Sequence, residues 1–148
     1  MNTSYIQKHV KTIITKSKDD CVLSLIDRLI DSCNNKNGIN YLQTISEISK
    51  ISDGYVSEYF DEVGSKLFYT CFDKLFPLIY TKNSQFNNPL EKIIIQSIGS
   101  EISDAKNPQQ EKKKIETFVM QKSLKFGTEK RRYLTNLVNK IYEFAEQS

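Results

Sequence analysis

Val22, Leu25, Ile26, Leu29, Ile30 and Cys33 fall at positions i, i+3, i+4, i+7, i+8 and i+11. That spacing puts six apolar side chains on one face of an α-helix, and a strand cannot do the same. The chain repeats this period almost throughout. Leu42, Ile45 and Ile48 form a second stripe, and Tyr55, Val56, Tyr59 and Phe60 a third. Leu67, Phe68, Cys71, Phe72, Leu75, Phe76 and Ile79 form the most apolar one. Leu90, Ile93, Ile94, Ile95 and Ile98 follow, and Leu134, Leu137, Val138, Ile141 and Ala145 close the series. Few segments alternate apolar and polar residues with period two. The expected fold class is therefore all-α, a compact bundle of about seven or eight helices.

Punctuation residues set the expected boundaries. A first helix is expected over 3–16, with Ile6, Val10, Ile13 and Ile14 inward. Ser17 and Asp20 fit a capping box for the second. The run Asn34-Asn35-Lys36-Asn37-Gly38 is expected as a loop, followed by a short helix over 41–49. Ser52 is expected to cap a helix over 53–63, Gly64 to break it, and Pro77 to kink or shorten the helix over 65–80. Pro89 opens a helix expected to end at Gly99. Asn107-Pro108 reads as a cap and first position for a helix to about 124, and Thr128 as the cap of a last helix to about 146.

With 148 residues, the chain is expected to fold as a single domain, 1–148. Its apolar fraction of 39% excludes disorder, and a chain of this length needs no metal or disulfide to fold. The cysteines are Cys21, Cys33 and Cys71, an odd number without CxxC spacing. The expectation is no disulfide framework and free thiols, with Cys21 and Cys33 buried in apolar stripes. No apolar run approaches the roughly 20 residues that cross a bilayer. The expectation is a cytoplasmic or nuclear protein without a membrane partner.

Catalytic signatures are missing. His9 is the sole histidine and lies near the terminus. No GxxxxGK[ST], GxGxxG, GxSxG or HExxH pattern occurs. Asp19-Asp20 and Asp61-Glu62 are adjacent pairs. Neighbours on a helix point about 100° apart, so neither pair is an acid/base couple by itself. The expectation is no enzyme activity, no metal and no cofactor.

One stretch resembles a known unit. The run Leu42-Gln43-Thr44-Ile45-Ser46-Glu47-Ile48-Ser49-Lys50-Ile51-Ser52-Asp53-Gly54-Tyr55-Val56-Ser57-Glu58-Tyr59-Phe60, continued to residue 75, lines up without a gap on the helix-turn-helix of AraC-type transcription regulators. Ile45 and Ser46 stand where the first helix of that family has an apolar and a small residue. Ile51 and Ser52 match its turn, and Tyr55, Val56, Ser57 and Phe60 its recognition helix. Phe68 matches a further aromatic. The resemblance covers one unit, where the family normally carries two. It implies a helix-turn-helix at 42–63 whose recognition helix presents Gly54, Ser57, Glu58 and Asp61 to a DNA groove. Where the family often has Arg or Lys, this chain has Glu58, Asp61 and Glu62.

Charge is divided unevenly. Residues 1–104 carry 11 basic and 13 acidic groups and form a slightly acidic helical core. Residues 105–140 carry 10 basic and 3 acidic groups, and the C-terminal helical pair 105–148 contains all ten. The dense points are Lys112-Lys113-Lys114 and Lys130-Arg131-Arg132, with Lys106, Lys122 and Lys125 nearby. Cations in the first turn of a helix oppose the helix dipole by roughly 0.3–1 kcal/mol each, and an anion bound there would reverse the sign. Nucleic acid, or another polyanion, is the partner that this pattern implies, with phosphates contacted by those six residues. Tyr133, next to the second cluster, could stack on a base. The alternative is a helical adaptor that binds another protein through an acidic or apolar face, such as a viral or host-interaction bundle.

Overall fold

The computed structural model describes residues 3–9, 19–52, 54–80 and 88–148. Among them every regular element is an α-helix: α1 Thr3–Lys8, α2 Asp19–Asp31, α3 Gly38–Ile51, α4 Gly54–Ile79, α5 Pro89–Asp104, α6 Pro108–Ser123 and α7 Thr128–Gln147. The all-helical bundle expected from the periodicity is the fold found. Val10, Ile13, Ile14, Ser17 and residues 81–87 lie outside the described residues.

The long helix α4 is the hub. Phe60, Leu67, Phe68, Phe72, Leu75 and Ile79 are buried along one side of it. It packs against α2, α3 and most extensively α5, and α5 in turn carries α7. The hairpin of α6 and α7 covers the remaining side, closing the core with Ile115, Leu134, Leu137 and Ile141.

Two glycines expected to end helices lie inside them. α4 runs straight through Gly64. A Cβ there would sit 2.6 Å from the Ser97 Cβ and 2.7 Å from the Ile93 carbonyl oxygen. Gly64 therefore marks the crossing of α4 and α5, where backbones meet without a side chain between them. The Ser65 N–H donates to the buried Ser97 hydroxyl at 2.9 Å across the same crossing. Gly99 plays the same part between α5 and α7, since a Cβ there would meet the Phe144 ring at 2.7 Å. α5 accordingly continues to Asp104. Pro77 lies within the last turn of α4, which extends two residues beyond it to Ile79.

Caps follow the sequence in part. Asn88 and Asn107 accept from the N–H groups of Leu90 and Gln110, with Pro89 and Pro108 as first helical residues. Ser52 does not cap α4. Its hydroxyl donates backwards to the Ser49 carbonyl at 3.2 Å, and α4 begins at Gly54 with φ +52°. Thr128 does not cap α7 either: the cap position is Gly127, which offers no side chain.

The cysteine expectation is overturned. Cys33, just past α2, is bonded to Cys71 on α4, with an S–S distance of 2.08 Å across a sequence separation of 38. Cys21 is the exposed free thiol. The stripes of α2 and α4 face each other, which brings the two Cα atoms to 5.8 Å. Cys21 precedes the inward Val22 and is turned about 100° from it, out of the core.

Candidate nucleic-acid interface

α6 and α7 run antiparallel, joined by the short link 124–127. The Tyr142 hydroxyl meets α6 at Lys112 and Glu116, whereas Arg131 meets it at Ser123 and Leu124. The two basic clusters picked out by sequence therefore lie at opposite ends of the hairpin. Lys112 sits beside Tyr142, twelve residues from Lys130 along α7, a separation of about 18 Å.

The end that holds Lys130-Arg131-Arg132 gathers further cations. Lys122 lies 5.6 Å from the centroids of both Phe72 and Phe118. Lys125 lies 5.5 Å from the Phe126 ring, and Lys130 is 5.3 Å from the same ring and 5.8 Å from Tyr80. Beneath them Phe72, Phe76 and Phe126 form a stack, with Phe76 to Phe126 at 4.7 Å. Ammonium groups on ring faces are attracted by the ring quadrupole, so this aromatic column fixes where three flexible lysines put their charge. The N-terminus of α7 opens at the same place without a side-chain cap.

Two groups temper the cluster. Asp73 from α4 lies 3.4 Å from both Lys122 and Lys125. Burial pushes its carboxyl up, but the two ammonium groups more than offset this and hold it below the ordinary range. Arg131 turns back: its Nε and Nη2 donate to the carbonyls of Ser123 and Leu124 at 3.0 and 3.2 Å, closing the C-terminus of α6. Lys130 and Arg132 are exposed. Tyr133 is half-buried and its hydroxyl donates to Glu91 at 2.6 Å. Burial first, and then that carboxylate, push its pKa up. It closes the core edge beneath the cluster.

At the other end, Lys114 lies 4.8 Å from the Tyr69 ring and Lys112 5.1 Å from the Tyr142 ring, while Lys113 is exposed. Acids accompany them. Tyr142 donates to Glu116 at 2.5 Å, and Lys114 borders a cleft of about 730 Å³ lined by Asp61, Glu62, Glu101, Asp104 and Glu111.

That cleft also receives part of the recognition helix implied by the resemblance. Gly54, Glu58 and Asp61 are exposed and Ser57 half-buried, while Val56 and Phe60 face the core. Tyr55 is 54% exposed. Burial, and then the neighbouring Glu58, push the Asp61 carboxyl up, against the pull of Lys92. A cleft of five carboxylates repels phosphate.

Among the described residues, no group of His, Cys, Asp and Glu could hold a metal ion, and no helix is long and apolar enough to cross a membrane. His9 directly follows α1, its Nδ1 bonded to the Tyr5 carbonyl at 2.9 Å.

No family model matches the chain, and neither does any curated protein or solved structure.

Sequence reasoning picked out the runs 112–114 and 130–132 because consecutive charges are visible in one dimension. It undervalued Lys122 and Lys125, which join Lys130 only through the hairpin turn. It missed Asp73 and Phe126 altogether. Their only signal was a carboxylate on the polar side of α4 and an aromatic beside a terminating glycine.

Proposed function

We propose that the protein is a non-catalytic nucleic-acid-associated protein, a regulator or accessory subunit of a nucleoprotein assembly. It contacts phosphates through the basic end of the α6–α7 hairpin. The observation that carries this reading is the convergence of Lys122, Lys125 and Lys130 on the Phe72–Phe76–Phe126 column, beside the uncapped start of α7 and the exposed Arg132. Cations in the first turn of a helix repel its dipole, and a bound phosphate relieves that repulsion while accepting from free backbone N–H groups. The rings hold lysines on their faces, so this end reads the backbone by charge rather than bases by stacking. Arg131 braces the hairpin corner. Lys112, Lys113 and Lys114 form a second, weaker point of contact. The helix-turn-helix reading of 42–63 ranks below both, because Glu58 and Asp61 stand on its exposed side.

The test is binding to single- and double-stranded nucleic acid at about 50 and 200 mM salt. Four cations neutralising phosphates on a duplex give a slope of about −3 to −4 in log K against log salt. A variant with Lys122, Lys125, Lys130 and Arg132 all changed to Ala should lose most binding at low salt. No binding by the unaltered protein at 50 mM salt would sink the proposal.

A second reading, a helical adaptor, is favoured by the acidic cleft between α4, α5 and α6. Its partner would be a basic protein segment. Changing Glu101 and Asp104 to Gln and Asn would abolish such binding and leave phosphate binding intact.

A further inference from the structure

The two most exposed large apolar side chains among the described residues, Leu124 at 73% and Met120 at 67%, lie four residues apart at the C-terminal end of α6. Side chains at that spacing stand one above the other on a helix face, so they form a ridge. Beside the ridge, between α6 and α7, runs a groove of about 470 Å³ with Val119 and Val138 in its wall. Two charged side chains line it. Glu116 stands at one end, held by the Tyr142 hydroxyl at 2.5 Å. Arg131 stands at the other, held by the Ser123 and Leu124 carbonyls. Glu116 and Leu124 are eight residues apart, so the charges are separated by about 12 Å along the groove.

This surface matches itself. A two-fold axis across the groove turns a second copy end for end and lays the Met120–Leu124 ridges of the two chains against each other. The same rotation brings Glu116 of each copy to Arg131 of its mate, so a single patch supplies both halves of an isologous contact. Neither charge has to be reoriented, since each is already fixed within its own chain. We propose that the α6–α7 face is a homodimer interface with a second copy of this chain as its occupant. Nucleic acid does not suit the groove, whose exposed surface is mostly apolar and whose one cation is balanced by Glu116. A foreign protein would have no reason to carry the opposite charge at each end. The contact is small, which points to a weak, concentration-dependent dimer rather than an obligate one.

Sedimentation velocity of the full chain from about 1 to 500 µM tests it, spanning the weak-dimer regime. A monomer–dimer equilibrium is expected, weakened about tenfold or more by Met120→Gln with Leu124→Gln. Glu116→Arg places like charges at both ends of the contact, and so does Arg131→Glu, so each variant alone should be monomeric. Mixed one to one, these two variants pair opposite charges at both ends and should associate. A foreign apolar groove could not produce that rescue. Circular dichroism checks that each variant is folded. If Arg131→Glu unfolds the hairpin corner, the Gln pair decides alone. A chain monomeric throughout the range would overturn the proposal and leave the groove to a different protein. A dimer indifferent to the Gln pair, or a mixture that fails to associate with both variants folded, would overturn it too.

Discussion

At Gly64 the ordinary rule for helices changes sign. Gly→Ala inside a helix usually stabilises by up to about 1 kcal/mol. Here the added methyl would press on the Ser97 Cβ and the Ile93 carbonyl at under 3 Å, and neither is the end of a flexible side chain. Gly64→Ala should therefore destabilise by about 1–3 kcal/mol net, read from urea or thermal unfolding. A stabilised variant would mean that α4 and α5 do not cross there. Asp73 offers a second test in which two quantities move in opposite directions. Its pKa in the folded chain is depressed, so the stability it contributes is present above the ordinary value of 3.8 and is lost as pH falls through the lower folded value. With its side chain 59% exposed, the contribution is well under 1 kcal/mol. Asp73→Asn should thus lower stability slightly at pH 7 and leave it unchanged once the pH has fallen below the lowered folded value. The same substitution removes a negative charge from the basic end, so nucleic-acid affinity should rise at low salt. Tighter binding by a slightly less stable protein is the expected signature, and weaker binding would place the phosphate contact elsewhere.

Between elements, the disulfide is the covalent link in a contact that also holds the Tyr59–Asp27 hydrogen bond and the Lys66–Asp31 ion pair. It ties the end of α2 to the middle of α4, and both sulfurs are fully buried. Thiol titration of the unfolded, unreduced chain should give one free group, Cys21, and three after reduction. Three before reduction would mean that the bond does not form. Closing a loop with a separation of 38 residues limits the unfolded chain enough to stabilise by about 4 kcal/mol on a chain-entropy account. Reduction should therefore lower the unfolding midpoint substantially, and Cys33→Ala with Cys71→Ala should reproduce the shift. The aromatic column at the hairpin corner works between elements in the same way. Phe72 and Phe76 belong to α4 and Phe126 to the link before α7, so the lysines of α6 and α7 are aligned against a helix far from them in sequence.

Across the whole molecule, charge is sorted into regions. The hairpin corner gathers lysines, the cleft between α4, α5 and α6 gathers carboxylates, and the α6–α7 groove is mostly apolar with one charge at each end. Neutralising the corner should remove salt-dependent phosphate binding while leaving self-association intact, because Met120 and Leu124 are untouched. Introducing Gln at those two positions should do the reverse. Parallel measurements of binding and sedimentation on both variants separate the two surfaces, and loss of both properties in either variant would show that they are one.

How much of this was legible beforehand follows from the kind of information each feature needs. Helix period depends on neighbours three and four residues away, so the all-α class, the apolar stripes and the starts at Pro89 and Asn107-Pro108 could be read directly. Gly64 and Gly99 misled because a glycine in one dimension signals a break, whereas its use as a crossing point appears only when a second helix is present. The same holds for Cys33 and Cys71, whose pairing carries no spacing pattern and depends on two stripes meeting. At the candidate site, the sequence by itself determined which segments are basic, since net charge is a sum over residues. Only the tertiary structure decided that Lys112-Lys113-Lys114 and Lys130-Arg131-Arg132 part to opposite ends, that Lys122 and Lys125 join Lys130, and that Arg131 turns back onto the end of α6. A helix is a local product of the backbone, whereas a surface is made by whichever distant residues the packing of helices brings together.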